Sequence, residues 1–302
     1  ILINEDMFKE AGLDIPYDGW TYSEFLTDAE KLTHGEGQDK VYGVCWARKQ
    51  SGKSILYALD GVLGANQIYK NEEGTEVNFD NDVYRAGLNL VKETLDKGYA
   101  IPIEDEFSED ISVANTFLQG KCAIMLGVAQ MRLCMDQENY PHDFMTALVP
   151  APVPDDEKYN TEFYRKQIGT TGAGDLLSIS ANTKYPEASF EFAMWYLKGG
   201  MSPLVQGGRI PLWNGVNKDE VLSVLKEKAQ GSIDMDSMEN YLSLDTTQGV
   251  AAIKGHASSE ISSAWFEEFD AMCYGKQSVD QTVQNMEKRG NELIQTELSS
   301  QK

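Results

Sequence analysis

NTFLQGKCAIMLG, residues 115–127, decides the fold. Its first part closes a helix that the pattern carries from Ser108 to Leu118, because Gly120 offers the left-handed conformation at which helices stop. Its second part, CAIML, is an uninterrupted apolar run, short enough for a strand and suited to burial on both faces. A strand leaving directly from a helix indicates α/β layering. Toward the N-terminus, VYGVCW at 41–46 is a second β-leaning piece. The polar loop ARKQSGKS and the apolar ILYALDGVLGA follow it, which reads as strand, loop, helix. Thr21 with Glu24 three residues on forms a capping box, and Phe25, Leu26, Ala29 and Leu32 recur at helical spacing behind it. Tyr84, Leu88, Val91 and Leu95 mark one face of a further helix, with Asp80 or Asn81 as cap and Gly98 as stop.

On the C-terminal side, PAPVPDDEKYNTEFY at 150–164 is rich in proline and charge and reads as an exposed connection. LLSIS at 176–180 alternates as a strand does. Pro186 then opens a helix whose face is Ala188, Phe192, Trp195 and Tyr196. The last third is helical over 221–228, 260–272 and 278–298, the final helix capped by Ser278 with Gln281.

The chain has 302 residues, 41% of them hydrophobic and 25% charged, enough for a sizeable core and for two domains at about 150 residues each or one large one. Its 26 Lys and Arg against 48 Asp and Glu leave a net charge of −22, which repels nucleic acid and anionic membrane surfaces. No apolar window approaches the length of a membrane span, and the first residues lack the basic and apolar regions of an export signal. Cys45, Cys122, Cys134 and Cys273 are spaced too widely for a zinc ribbon or redox motif and read as buried free thiols.

Catalytic and cofactor motifs are missing. Gly52-Lys53-Ser54 resembles the end of a phosphate loop, but Ala47 stands where that motif needs glycine. GTTGAGD at 169–175 lacks the dinucleotide order and precedes its strand. His34, His142 and His256 are isolated, so no metal and no cofactor is expected. Trp46 beside Arg48, Trp213 just after Ile210-Pro211, and Trp265 near a helix start all lie at element ends. There, rings and neighbouring charges suit the faces and hydroxyls of a sugar.

In order along the chain, several strings resemble extracellular solute-binding proteins of family 1, the maltose-binding type that serves ABC sugar transporters. Asn4, Phe8, Gly12, Leu13, Trp20 and Glu24 fall in matching places of the family's opening segment. Phe117, Gly120, Lys121, Ala123, Met125 and Gly127 match its "F-x-x-G-K-x-A-M-x-x-G" pattern, whose later aromatic is replaced here by Ala129 and Gln130. VPAPVPDD, GAGDLLSISANTKYPEASFEFAMWYL, GRIPLWNG and YGKQSVDQTVQNMEKRGNELI resemble the following steps. Glu260, in SSEI, holds the place of the family's "Y-P-E-I" glutamate without its aromatic.

The resemblance implies an α/β fold of the periplasmic-binding-protein type II, two-lobed, with a helix-rich C-terminal lobe. Residues 1–165 and 218–302 would form that lobe, and 166–217 would return to an N-terminal lobe most of which precedes the matching segment. The chain is therefore expected to be a truncated form, whose returning strand and helix lack their sheet partners. The implied function is capture of a sugar or oligosaccharide in an interlobe cleft and delivery to a permease, outside the cell membrane or in the periplasm, with a lipid anchor upstream. No enzymatic step is implied. The candidate ligand contacts are Trp46, Arg48, Gly172, Gly174, Asp175, Trp213, Glu260 and Trp265. Beside this reading stand a binding protein for another small solute, such as a polyamine, and a carbohydrate-processing enzyme on the same layering.

Overall fold

The structure, a computed structural model, describes residues 1–46, 69–108, 113–126, 131–165, 177–200, 202–209, 213, 215–229, 231–243 and 255–300. Strand β1 (Leu2–Asn4) runs into α1 (Glu5–Glu10), whose cap Asn4 accepts the Met7 N–H. α2 (Tyr22–Leu32) begins with the expected capping box: the Thr21 hydroxyl accepts the Glu24 N–H, and the Glu24 carboxylate accepts the Thr21 N–H. β2 (Tyr42–Cys45) follows, then α3 (Asp82–Asp96). Of the two candidate caps for α3, Asn81 takes the role, and Gly98 ends the helix region at φ +69°.

Of the helix expected over 108–118, α5 (Val113–Leu118) forms the described part; α4 (Ile103–Ser108) begins directly after Pro102, and residues 109–112 lie outside the described residues. β3 (Cys122–Met125), α6 (Met131–Cys134), β4 (Thr146–Leu148) and α7 (Glu162–Arg165) complete the sheet and its connections. Then come α8 (Pro186–Trp195), α9 (Ser202–Val205), α10 (Lys218–Ala229), α11 (Met235–Ser243), α12 (Ser258–Cys273) and α13 (Val279–Ser300).

The four strands are ordered β2-β3-β1-β4; β2 and β3 are parallel, and β1 runs against both of its neighbours. Strands β2, β3 and β4 therefore point the same way. Strand alternation sends Ile3, Val44, Ile124 and Ala147 into one core with Phe25 of α2, Leu88 of α3, Trp265 of α12 and Val283 of α13. Leu2, Cys45, Met125 and Leu148 enter the other core, with Phe117 of α5, Cys134 of α6, Leu225 of α10 and Met238 of α11. The result is helix, sheet, helix in three layers.

The second core corrects the reading of the cysteines. Cys45 and Cys122 are joined in a disulfide, Cα to Cα 6.3 Å, while Cys134 and Cys273 remain thiols. Adjacent strands carry the two residues, which lie 77 positions apart, and spacing along the chain does not reveal that they meet. The close approach of α2 to β2 explains Gly43, since a Cβ there would stand 2.3 Å from the Ala29 carbonyl oxygen.

Residues 177–195 do not show the strand and the buried helix face that their local pattern predicts, in keeping with a returning strand and helix that lack sheet partners. Residues 177–180 of the expected strand form no ladder, because among the described residues no strand lies alongside to take up their backbone groups. α8 forms as the sequence predicts, but its face is not buried: Phe192 is 58% and Trp195 60% exposed, and of this helix only Ala193 is buried. Pro150–Tyr164 departs the other way, since its middle is tied down by Val153, which is buried and exchanges backbone hydrogen bonds with Trp20 and Tyr22.

Candidate binding site

Because β2, β3 and β4 share a direction, their C-terminal ends lie on one edge of the sheet, and the chain leaves them there at Trp46, Leu126 and Val149. In open α/β sheets, ligands bind outside the carboxyl ends of the strands, where connections diverge. This edge is consequently the candidate site.

Its floor is aromatic. Trp20 packs edge-on against Phe25 at 5.0 Å, and Phe25 meets Trp46 at 5.8 Å. The Trp20 Nε1–H donates to the Pro150 carbonyl at 3.1 Å, and the Trp46 Nε1–H donates to the Thr94 hydroxyl at 2.7 Å. Trp46 is thus a core ring, 4% exposed, whose polar end is already satisfied inside the protein. Trp265 is likewise a core ring, 3% exposed and stacked on Phe269 at 4.9 Å. Neither presents a face to solvent.

Two other candidate residues are exposed. Trp213 lies over its own turn: a Cβ on Gly215 would stand 2.4 Å from the indole, so a larger residue there would displace the ring. The next residue, Val216, packs against the second core and donates its N–H to the Trp213 carbonyl. Glu260 is exposed in the first turn of α12. That helix start is positioned from three directions. Ala257 takes the left-handed conformation at φ 53°, its N–H donates to the Glu297 carboxylate of α13, and Tyr69 Oη donates to the His256 carbonyl at 2.9 Å. No side chain caps the helix, so the positive end of its dipole is left to the first-turn residues. Sequence reading missed this anchoring, since nothing in Ala257 itself signals a left-handed cap. Arg48, Gly172, Gly174 and Asp175 lie outside the described residues, as do Gly52, Lys53 and Ser54.

At the opposite edge, an open hollow of about 310 Å³ is lined by Glu5, Met145, Ile233, Asp234, Met235 and Asp236. Tyr17 donates to Asp234 at 2.8 Å, and burial together with these carboxylates pushes its hydroxyl pKa up. Lys9 pairs with Glu5. Two of the hollow's acidic groups, Glu5 and Asp234, are thereby already engaged with the protein's own donors. Among the described residues no group of three or more His, Cys, Asp or Glu is arranged to hold a metal ion, and no helix is long and apolar enough to cross a membrane.

Solved structures share this architecture. A sugar transporter protein from Rhizobium etli in an open conformation superposes with a TM-score of 0.69 at 17% identity, over 97% of this chain and 69% of that one. The sugar-binding protein MalE from Xanthomonas citri gives 0.67 at 18% identity, over 98% and 68%. An ABC transporter solute-binding protein from Agrobacterium vitis, with bound D-mannitol, gives 0.63 at 19% identity, over 98% and 70%. The fold is therefore that of the type II periplasmic-binding proteins. No curated protein matches the sequence. Residues 1–198, which hold all four strands and the aromatic floor of the binding edge, match the model of one family. By that match, the chain belongs to the bacterial extracellular solute-binding proteins.

Proposed function

We propose that this protein is the capture component of an ABC transporter, which holds a sugar or oligosaccharide without transforming it and delivers it to a membrane permease. In this reading the ligand lies between the binding edge and a second lobe. Residues 1–165 and 218–302 make one lobe, and residues 166–217 contribute to the other. The observation that carries the reading is the exposed apolar surface of residues 177–197, with Phe190, Phe192 and Trp195 each more than half exposed. A helix apolar around its circumference belongs in an interior.

The ligand class rests on the similar structures, one a sugar-binding protein and one holding D-mannitol. Trp213 would supply the stacking face, and Glu260 an acceptor for hydroxyls at a helix start. Arg48, Gly172, Gly174 and Asp175 complete the proposed contacts, while Trp46 and Trp265 hold the elements that carry them. Closure follows when the ligand binds the closed form more tightly than the open one.

A thermal-shift screen against mono- and oligosaccharides, followed by calorimetry, tests this. A ligand at 100 times its dissociation constant is expected to stabilise the fold by about 2.7 kcal/mol and to be recovered unchanged. Trp213→Ala or Glu260→Gln is expected to weaken binding about tenfold, roughly 1.4 kcal/mol. If no saccharide stabilises either this chain or one extended by the second lobe, sugar capture is refuted. Recovery of a cleaved sugar would make the protein an enzyme instead.

A further inference from the structure

The disulfide occupies a particular place in the sheet. β2 is an edge strand of four residues, paired with β3 along one side and held on its outer side by the Val44 N–H to the Tyr99 carbonyl at 3.0 Å. Cys45 is its last residue, and the chain passes through Trp46 directly into the binding edge. Cys122 opens β3, immediately after the turn at Gly120. Both sulfurs lie in the second core, on residues with no solvent exposure.

We infer that the Cys45–Cys122 bond is a redox latch on the edge strand: oxidation closes it as the sheet forms, and the sheet then shields it from reductants. The chemistry balances as thiol–disulfide exchange. One protein thiolate attacks a low-molecular-weight disulfide, forming a mixed disulfide and releasing one thiol. The second protein thiolate then displaces the remaining half as a second thiol, so two electrons and two protons leave the protein pair for the oxidant. Reduction by dithiothreitol reverses this and yields two cysteines and the cyclic oxidised reagent. A family that works outside the cell meets the oxidising conditions in which such bonds persist. Because neither sulfur is exposed, reductant reaches the bond only when the end of β2 opens. Opening would release the strand that leads into the binding edge, although the latch itself requires no ligand.

Alkylation of the unfolded, unreduced protein, mapped by peptide mass, provides the test. Cys134 and Cys273 alone are expected to be labelled, and dithiothreitol is expected to add Cys45 and Cys122. Reduction of the folded protein is expected to be at least about tenfold slower than in urea, since it waits on opening. In the Cys45→Ala/Cys122→Ala variant, amide exchange across Val41–Trp46 is expected to accelerate relative to the helices of the other layer. Cys273→Ala should leave it unchanged. Labelling of all four cysteines without reductant, or equal reduction rates in the folded and unfolded protein, overturns the latch. Both of these outcomes are read on the natural chain, so the test stands even if the double variant fails to fold.

Discussion

The three-layer body and the stretch 177–197 are built from similar residues and end in opposite states. In the body, Phe8, Phe25, Phe117 and Phe269 have no exposure. In the stretch, Tyr185, Phe190, Phe192 and Trp195 are more than half exposed, although α8 forms from Pro186 as its sequence dictates. Local propensity and capping therefore make a helix in either setting. Burial depends on whether a sheet face stands opposite, and the four strands described here have both faces occupied by other helices. Amphipathic pattern names the face that wants cover; it does not supply the cover.

Substitution at the tightest contact of the body gives the largest expected effect. Gly43→Ala would drive a Cβ into the Ala29 carbonyl and separate α2 from β2, and we expect a loss of about 4 kcal/mol in urea unfolding. Phe25→Ala, which removes a ring packed between Trp20 and Trp46, is expected to cost about 3 kcal/mol in the same measurement. An effect below about 1 kcal/mol at either site would erase the contrast with the exposed stretch.

The ion cluster joining α12 to α13 adds a pH-dependent term. Burial alone would push the Glu268 carboxyl up, but hydrogen bonds from Arg289, Gln277 and Asn285 outweigh it and hold the pKa below the ordinary value. A depressed carboxylate stabilises the fold fully above the unfolded pKa, and that contribution is lost as pH falls through the folded value. Glu268→Gln is therefore expected to lower stability at pH 7 and to flatten its decline below about pH 4.5, as followed by unfolding across pH. Asp28 has the opposite sign. Burial raises its carboxyl to about 6, so its contribution fades as pH rises from about 4 toward 6, and Asp28→Asn is expected to remove that fall.

The smallest expected effect sharpens the comparison most. Phe192→Ser with Trp195→Ser removes two of the most exposed rings, and the free energy of urea unfolding of this chain is expected to change by less than about 0.5 kcal/mol. Binding of a hydrophobic dye should drop at the same time. A large loss of stability would mean that the stretch is packed in solution and that the two regions are not different after all.

By itself the sequence determined the local elements and their order. The capping box at Thr21 and Glu24, the Asn81 cap, the stop at Gly120 and the buried run Cys122–Met125 are all set by groups a few residues apart, whose hydrogen bonds and apolar spacing are written in the chain. The order of those strings also carried the family. The short strands β1 and β4 escaped notice, because three residues are too few to show a period and their identity comes from pairing with each other. Tertiary structure alone decided which rings are core and which face solvent. All three of Trp46, Trp265 and Trp213 read from the sequence as rings at element ends, yet Thr94 and Phe269 close over the first two, Trp265 in mid-helix, while Trp213 stays 40% exposed above Gly215. It likewise decided that Cys45 meets Cys122, because setting two strands side by side makes neighbours of positions that local chemistry leaves independent.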